Sequence, residues 1–241
     1  MSSDANTLAL IASVIAARDE AELLAKMKAV AREIGYDQVL FGIEMRLPNL
    51  GPLQHIASAY PTEYQVLYQE KAFLGRDPTV SHCQTSSEPL IWREQMYDPA
   101  SYEILEEAHK HGLGHGLSVP VHESRSRVVS MLSLARDRPF QSDAEKEYVL
   151  AAGNVLANCL HVASERLILP DLLASRRPRL SPREQQCFQL IGAGKSNWEI
   201  GQLLNISEDA VKFHVKNLMR KLQVSTRMQA VAIGVALGMI T

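Results

Sequence analysis

The chain has 241 residues, 46% hydrophobic and 22% charged, with a formal charge of −2. That is enough apolar material for one or two packed domains and too much for a disordered chain. Three widely spaced cysteines, Cys83, Cys159 and Cys187, exclude a disulfide framework and a zinc ribbon and suit a reducing cytoplasm.

The opening segment lacks the basic start of a signal peptide, and acids interrupt its apolar stretch. The longest apolar run, Ala230–Ile240, falls far short of the ~20 residues that a membrane span needs. A soluble cytoplasmic protein without a membrane partner is expected.

Periodicity predicts helices at about 5–17 and 20–35, then strands at 38–45 and 55–60. Helical segments follow near 62–73, 77–86 and 100–111. Residues 116–123 and 127–137 form an expected hairpin with a polar loop. Ser142, three residues before Glu145, opens a long amphipathic helix to about 167. Strands flanked by blocks of helix predict an α+β protein with an N-terminal α/β/α sandwich, one antiparallel sheet with helices on both faces. The division expected is 1–169 for this domain, 170–181 for a linker and 182–241 for a second, all-α domain. The proline-rich stretch from Pro170 to Pro182 is expected to be extended.

Between Tyr60 and Trp92 the residues carry chemistry. Tyr60, Tyr64 and Tyr68 repeat every four positions, Asp77 precedes Pro78, and Trp92 follows. Tyrosine and tryptophan offer an apolar body with one polar handle, and a buried aspartate needs a donor. Such a set suits a ligand with an amide, carbonyls and an apolar tail. On spacing alone, an ordinary aromatic core is the favoured explanation.

The last third is basic. From Leu172 to Thr241, ten Lys/Arg oppose four acids, a local charge of +6 that leaves −8 elsewhere. This suggests a polyanion-binding module on an acidic body, with a solvated basic face as the plain alternative. Helices are predicted at 182–192, 197–204, 208–222 and 226–237, with serine caps at Ser181, Ser196 and Ser207. The second and third are joined by three residues, as in a helix-turn-helix. On the third, Val211, Val215, Leu218 and Leu222 form a buried stripe. Lys212, Lys216 and Arg220 line a neighbouring face, with Asn217 beside them. Such a helix fits the DNA major groove, where lysine and arginine donate to guanine and asparagine pairs with adenine. Lys195 and Ser196 sit where a helix N-terminus holds a phosphate.

The stretch LSPREQQCFQLIGAGKSNWEIGQLLNISEDAVKFHVKNLMRKL resembles the DNA-binding domain of LuxR-type transcription regulators. Glu184, Gly194-Lys195 and the pattern Val211, Phe213, His214, Asn217, Lys221 and Leu222 carry the likeness. The segment around DPTVSHC resembles the same family's autoinducer-binding domain, in its LasR-like branch. The resemblance implies a quorum-sensing receptor for an N-acyl homoserine lactone of medium to long chain. By motif position, Asp77 would accept the ligand amide, and Tyr60 and Ser133 would donate to the amide-side carbonyl. Trp92 would close the lactone end, Tyr68 would pack along the chain and Thr79 would support Asp77. Gly116 matches the family glycine near the pocket sheet. The partners implied are inverted-repeat double-stranded DNA, a second copy of the chain and RNA polymerase. One departure stands out: Tyr64 occupies the position where the family has a lactone-binding tryptophan. It leaves open an orphan receptor for an exogenous or non-lactone ligand, and Gln65 beside it could reach a substituent on the acyl chain.

No enzyme is expected. There is no Gly-x-Ser-x-Gly elbow, Walker loop or dinucleotide fingerprint. His109, His111 and His115 do not share a helix face, so neither a metal nor another cofactor is expected.

Overall fold

Alternation is strict in the first strand of the sheet. In β1 (Gln38–Leu47), Val39, Phe41, Ile43, Met45 and Leu47 are buried while their neighbours are less so. Phe41 stands opposite Leu132 and Val39 opposite Leu134 of β5 (Val128–Arg136). With β2 (Gly51–Ser58), β3 (Leu90–Ile91) and β4 (His115–Glu123), they form a five-stranded sheet in the order β2-β1-β5-β4-β3. This computed structural model describes residues 2–47, 51–123 and 128–240. The polar loop expected between β4 and β5 lies outside the described residues.

The two faces of the sheet do different work. Leu117, Val119 and Leu134 point to one side, where Gly153 of α6 (Asp143–Leu167) lies close against them. Helices α1 (Ser2–Ser13) and α2 (Glu20–Glu33) pack on α6 and complete that layer. Gly116, Ser118, Ser133 and Ala135 therefore point to the other side, as pleating requires. There lie α3 (Thr62–Glu70), α4 (Pro78–Thr85) and α5 (Tyr102–Lys110). The α/β/α sandwich is the architecture observed. Strand β3 was not foreseen, because two residues carry no periodicity.

Backbone contacts divide the chain into two compact units. One is Met1–Met45 with Gln54–Leu169, and the other is Arg46–Leu53 with Pro170–Thr241. In the second, α7 (Leu169–Arg176) corrects the extended reading of the proline-rich stretch. Pro170 falls in the first turn, where a missing N–H is no loss. Residues 177–181 lie between that helix and the next.

The four further helices are α8 (Pro182–Gly192), α9 (Asn197–Leu204), α10 (Glu208–Lys221) and α11 (Arg227–Ala236). Ser181 with Glu184, Ser196 with Glu199, and Thr226 with Gln229 form reciprocal capping boxes. Asn205, left-handed at φ 52°, ends α9. A Cβ on Gly201 would sit 2.9 Å from the Ile206 carbonyl oxygen, so the tight turn between α9 and α10 depends on that glycine.

Candidate functional site

Asp77 is the N-cap of α4, and its two oxygens are divided between two tasks. Oδ1 accepts from the Thr79 amide at 2.8 Å and the Thr79 hydroxyl at 2.7 Å, which closes the first turn. Oδ2 accepts from the Tyr68 hydroxyl at 2.8 Å and keeps lone-pair capacity for a further donor. Asp77 is 8% exposed and Thr79 5%.

The tyrosines pack in sequence beside it with their rings tilted to one another. Tyr60 and Tyr64 have ring centroids 6.3 Å apart, and Tyr64 and Tyr68 5.9 Å. Burial pushes all three phenols far above their ordinary pKa, and the Asp77 charge adds to this. They are fixed as neutral donors. Tyr68 uses its proton on Asp77. The Tyr60 hydroxyl is buried and makes no hydrogen bond, although Ser133 is near enough to oppose the effect of burial on it. Tyr64 packs on Ala108, Leu113 and Ala135 and on the His111 ring at 5.5 Å. Gln65 donates to the Tyr60 carbonyl at 2.7 Å.

Trp92 is placed by β3. Its backbone N–H donates to the Gly116 carbonyl at 2.9 Å, extending the β3–β4 pairing. Its indole N–H donates to Ser118 at 2.9 Å, and Ser118 pairs with Ser133 at 2.9 Å. This polar thread crosses the sheet face toward Tyr60. Gly116 makes it possible: a Cβ there would lie 2.7 Å from the Trp92 ring and collide with the Leu134 carbonyl.

Further along the same face is a cavity of about 70 Å³, lined by Leu40, Gly42, Leu74, Val80, Cys83 and Met131 among others. Burial pushes the Cys83 thiol up to about 12, so it behaves as an apolar wall. Ligand sites usually enclose about 300–1,000 Å³. A guest of that size has to move side chains to enter this cavity.

In the second unit, Val211, Val215 and Leu218 are buried, while Lys212, Lys216 and Arg220 are exposed and Asn217 is half-buried beside them. Lys212 is not idle: it pairs with Glu208 at 3.3 Å and Asp209 at 3.1 Å. Lys195 lies 3.5 Å from Glu199, and Ser196 caps α9. Some of the basic charge is internal. Lys221 pairs with buried Glu184 at 2.6 Å and also donates to the Arg179 carbonyl. Burial raises the Glu184 pKa, but Lys221 and Ser181 more than offset this and hold it below the usual value. Arg227 clamps the α8–α9 turn through Asn197 at 2.8 Å and the Lys195 carbonyl. Arg177 donates to the Leu237 carbonyl at 2.7 Å. These three cations fold the unit, so +6 overstates what is left for a polyanion. Sequence reasoning used Phe213 only as part of the family pattern and gave it no contact, although it is 63% exposed on the lysine-bearing helix. Its signal was an aromatic residue placed off the buried stripe.

Comparison with known proteins follows the same division. Residues 19–164 match the family described as autoinducer binding domain, and residues 178–233 match bacterial regulatory proteins of the luxR family. The transcriptional activator protein SolR of Ralstonia nicotianae is 34% identical over 93% of this chain and 94% of its own length. The quorum-sensing regulator RhlR of Pseudomonas aeruginosa is 30% identical over 92% of this chain and 91% of its own. Among solved structures, SdiA in complex with octanoyl-rac-glycerol superposes with a TM-score of 0.69 at 23% identity, covering 97% of this chain and 94% of that one. At that identity the likeness concerns the fold.

The contact between Gly116 and Trp92 generates a direct prediction. In a Trp198→Phe background, Gly116→Ala should lift the indole off the strand and red-shift its emission. It should also cost about 1–3 kcal/mol of stability in urea unfolding. Unchanged emission and stability would contradict the close stacking.

Proposed function

This chain belongs to the LuxR family of autoinducer-binding transcription regulators, and from that membership we propose how its own residues sense a ligand and read DNA. The observation that carries the sensing half is a matched pair: the Asp77 Oδ2 acceptor and the unpartnered Tyr60 donor, both buried beside the same sheet face. One secondary amide satisfies both, its N–H donating to Asp77 and its carbonyl accepting from Tyr60. Ser133 supports that carbonyl, Thr79 holds Asp77, and Trp92 closes the head-group end. Tyr68 lies along the start of the acyl chain, and Tyr64 replaces an indole donor with a phenol. The tail opens the small cavity near Leu40 and Met131. Each CH₂ it buries contributes about 0.8 kcal/mol, which favours a medium to long chain.

SdiA has been solved with octanoyl-rac-glycerol. Tyr64 is the residue that favours a comparable second reading here. A monoacylglycerol keeps the tail but lacks the amide N–H, so a glycerol hydroxyl would have to donate to Asp77.

The boundaries follow the sequence: 1–169 senses, 170–181 connects and 182–241 binds DNA. Tyr148, Val155 and Val162 are exposed at seven-residue spacing along α6, a seam that suits a second copy of the chain. A two-fold dimer reads an inverted repeat. Lys212, once it exchanges Glu208 and Asp209 for DNA, and Lys216 contact bases, with Asn217 and Arg220 alongside. Phe213 meets a thymine methyl group, and Lys195 with Ser196 holds a phosphate. RNA polymerase is the downstream partner, and the cytoplasm is where these partners meet.

A ligand that binds only the folded chain raises its melting temperature by mass action. Long-chain N-acyl homoserine lactones should raise it, and more than octanoyl glycerol does. Asp77→Asn keeps a capping residue but should weaken lactone binding about 10- to 100-fold. Equal melting with and without every lactone would remove the sensing half of the proposal. For DNA, Lys212→Ala and Lys216→Ala should each lose about 1–3 kcal/mol of discrimination between operator and scrambled sequence in titrations at fixed salt. Equal losses on both sequences would reassign them to phosphates.

A further inference from the structure

The sheet face turned away from the ligand side carries a second polar cluster. Glu123 ends β4, Ser130 lies on β5, and His161 and Glu165 are one turn apart on α6. His161 is 5% exposed, and its Nδ1 lies 2.7 Å from the Ser130 hydroxyl, which is itself 1% exposed. Its other nitrogen, Nε2, is 3.9 Å from Glu165 Oε1, too long for a hydrogen bond. Glu123, His161 and Glu165 each offer a donor atom within 4.8 Å of the others. One turn from His161 on the same helix, the Ser164 hydroxyl is buried and unpartnered.

The three side chains, one from the end of a strand and two from neighbouring turns of a helix, each offer a donor atom to the same small volume, and the histidine among them is almost fully buried. The imidazole is already arranged as in metal sites. In the tautomer whose Nδ1–H donates to Ser130, Nε2 keeps its lone pair on the side of Glu165.

We propose that Glu123, His161 and Glu165 bind a divalent transition-metal cation of the zinc class, which ties the end of β4 to α6. Zinc takes imidazole nitrogen and carboxylate oxygen at about 2.0–2.2 Å, which places tetrahedral ligand atoms about 3.4 Å apart. The glutamates reach this by side-chain rotation around a fixed histidine, and water completes the shell. The imidazole disfavours magnesium and calcium, which prefer oxygen throughout. The expectation that no metal is bound rested on His109, His111 and His115. In those, His109 and His111 instead turn Nδ1 to the Leu105 and Glu107 carbonyls of their own helix.

The test uses the full chain, stripped with chelator, dialysed against zinc and assayed by metal analysis and thermal melting. One zinc per chain should be retained, and the melting temperature should rise with zinc concentration. Glu165→Gln and Glu123→Gln should each lower zinc affinity at least about tenfold. No retained zinc would overturn the proposal, as would equal retention by the glutamine variants, which would place the ion on other histidines. Stabilisation by magnesium or calcium in place of zinc would overturn the metal class.

Discussion

A carboxylate that is nine-tenths buried has to be surrounded by donors, and Asp77 organises the ligand side of the first unit around that demand. Thr79 supplies two donors and Tyr68 one. Those bonds fix the start of α4 and the lean of α3 against the sheet. Tyr60 and Tyr64 pack behind Tyr68, and the serine pair under Trp92 continues the polar thread across β4 and β5. The site is thus a by-product of satisfying one charge, with one donor, Tyr60, left over.

The second unit solves the opposite problem, holding an excess of positive charge on a small helical core. It does so by division. Arg177, Lys221 and Arg227 turn inward to carbonyls, Glu184 and Asn197, where they pin α8, α10 and α11 together. Lys212 waits in exposed ion pairs with Glu208 and Asp209. Exposed pairs of this kind are weak and are readily exchanged for phosphate or base contacts. The cations that fold the unit and those that face outward are different residues.

Most of this was legible in the sequence, because the strong signals were local. Alternation marked β1, β4 and β5, serine–glutamate spacing marked the starts of α6, α8 and α9, and the valine–leucine stripe marked the buried face of α10. What escaped was set by tertiary contact. Strand β3 exists because β4 pairs with it. α7 forms although prolines surround it, since Pro170 sits in a first turn. Composition counted Lys221 and Arg227 as free charge because their partners are 37 and 30 residues away. The Glu123–His161–Glu165 cluster joins a strand to a helix and has no sequence spacing to betray it.

The central claim is that the Asp77 carboxylate is the acceptor for a ligand amide. Nuclear magnetic resonance of a ¹⁵N-labelled N-acyl homoserine lactone bound to the full chain tests it most directly. The account predicts an amide proton moved well downfield in the wild-type complex and moved back toward its free position with Asp77→Asn. A lactone that binds both proteins with the same amide shift would contradict it.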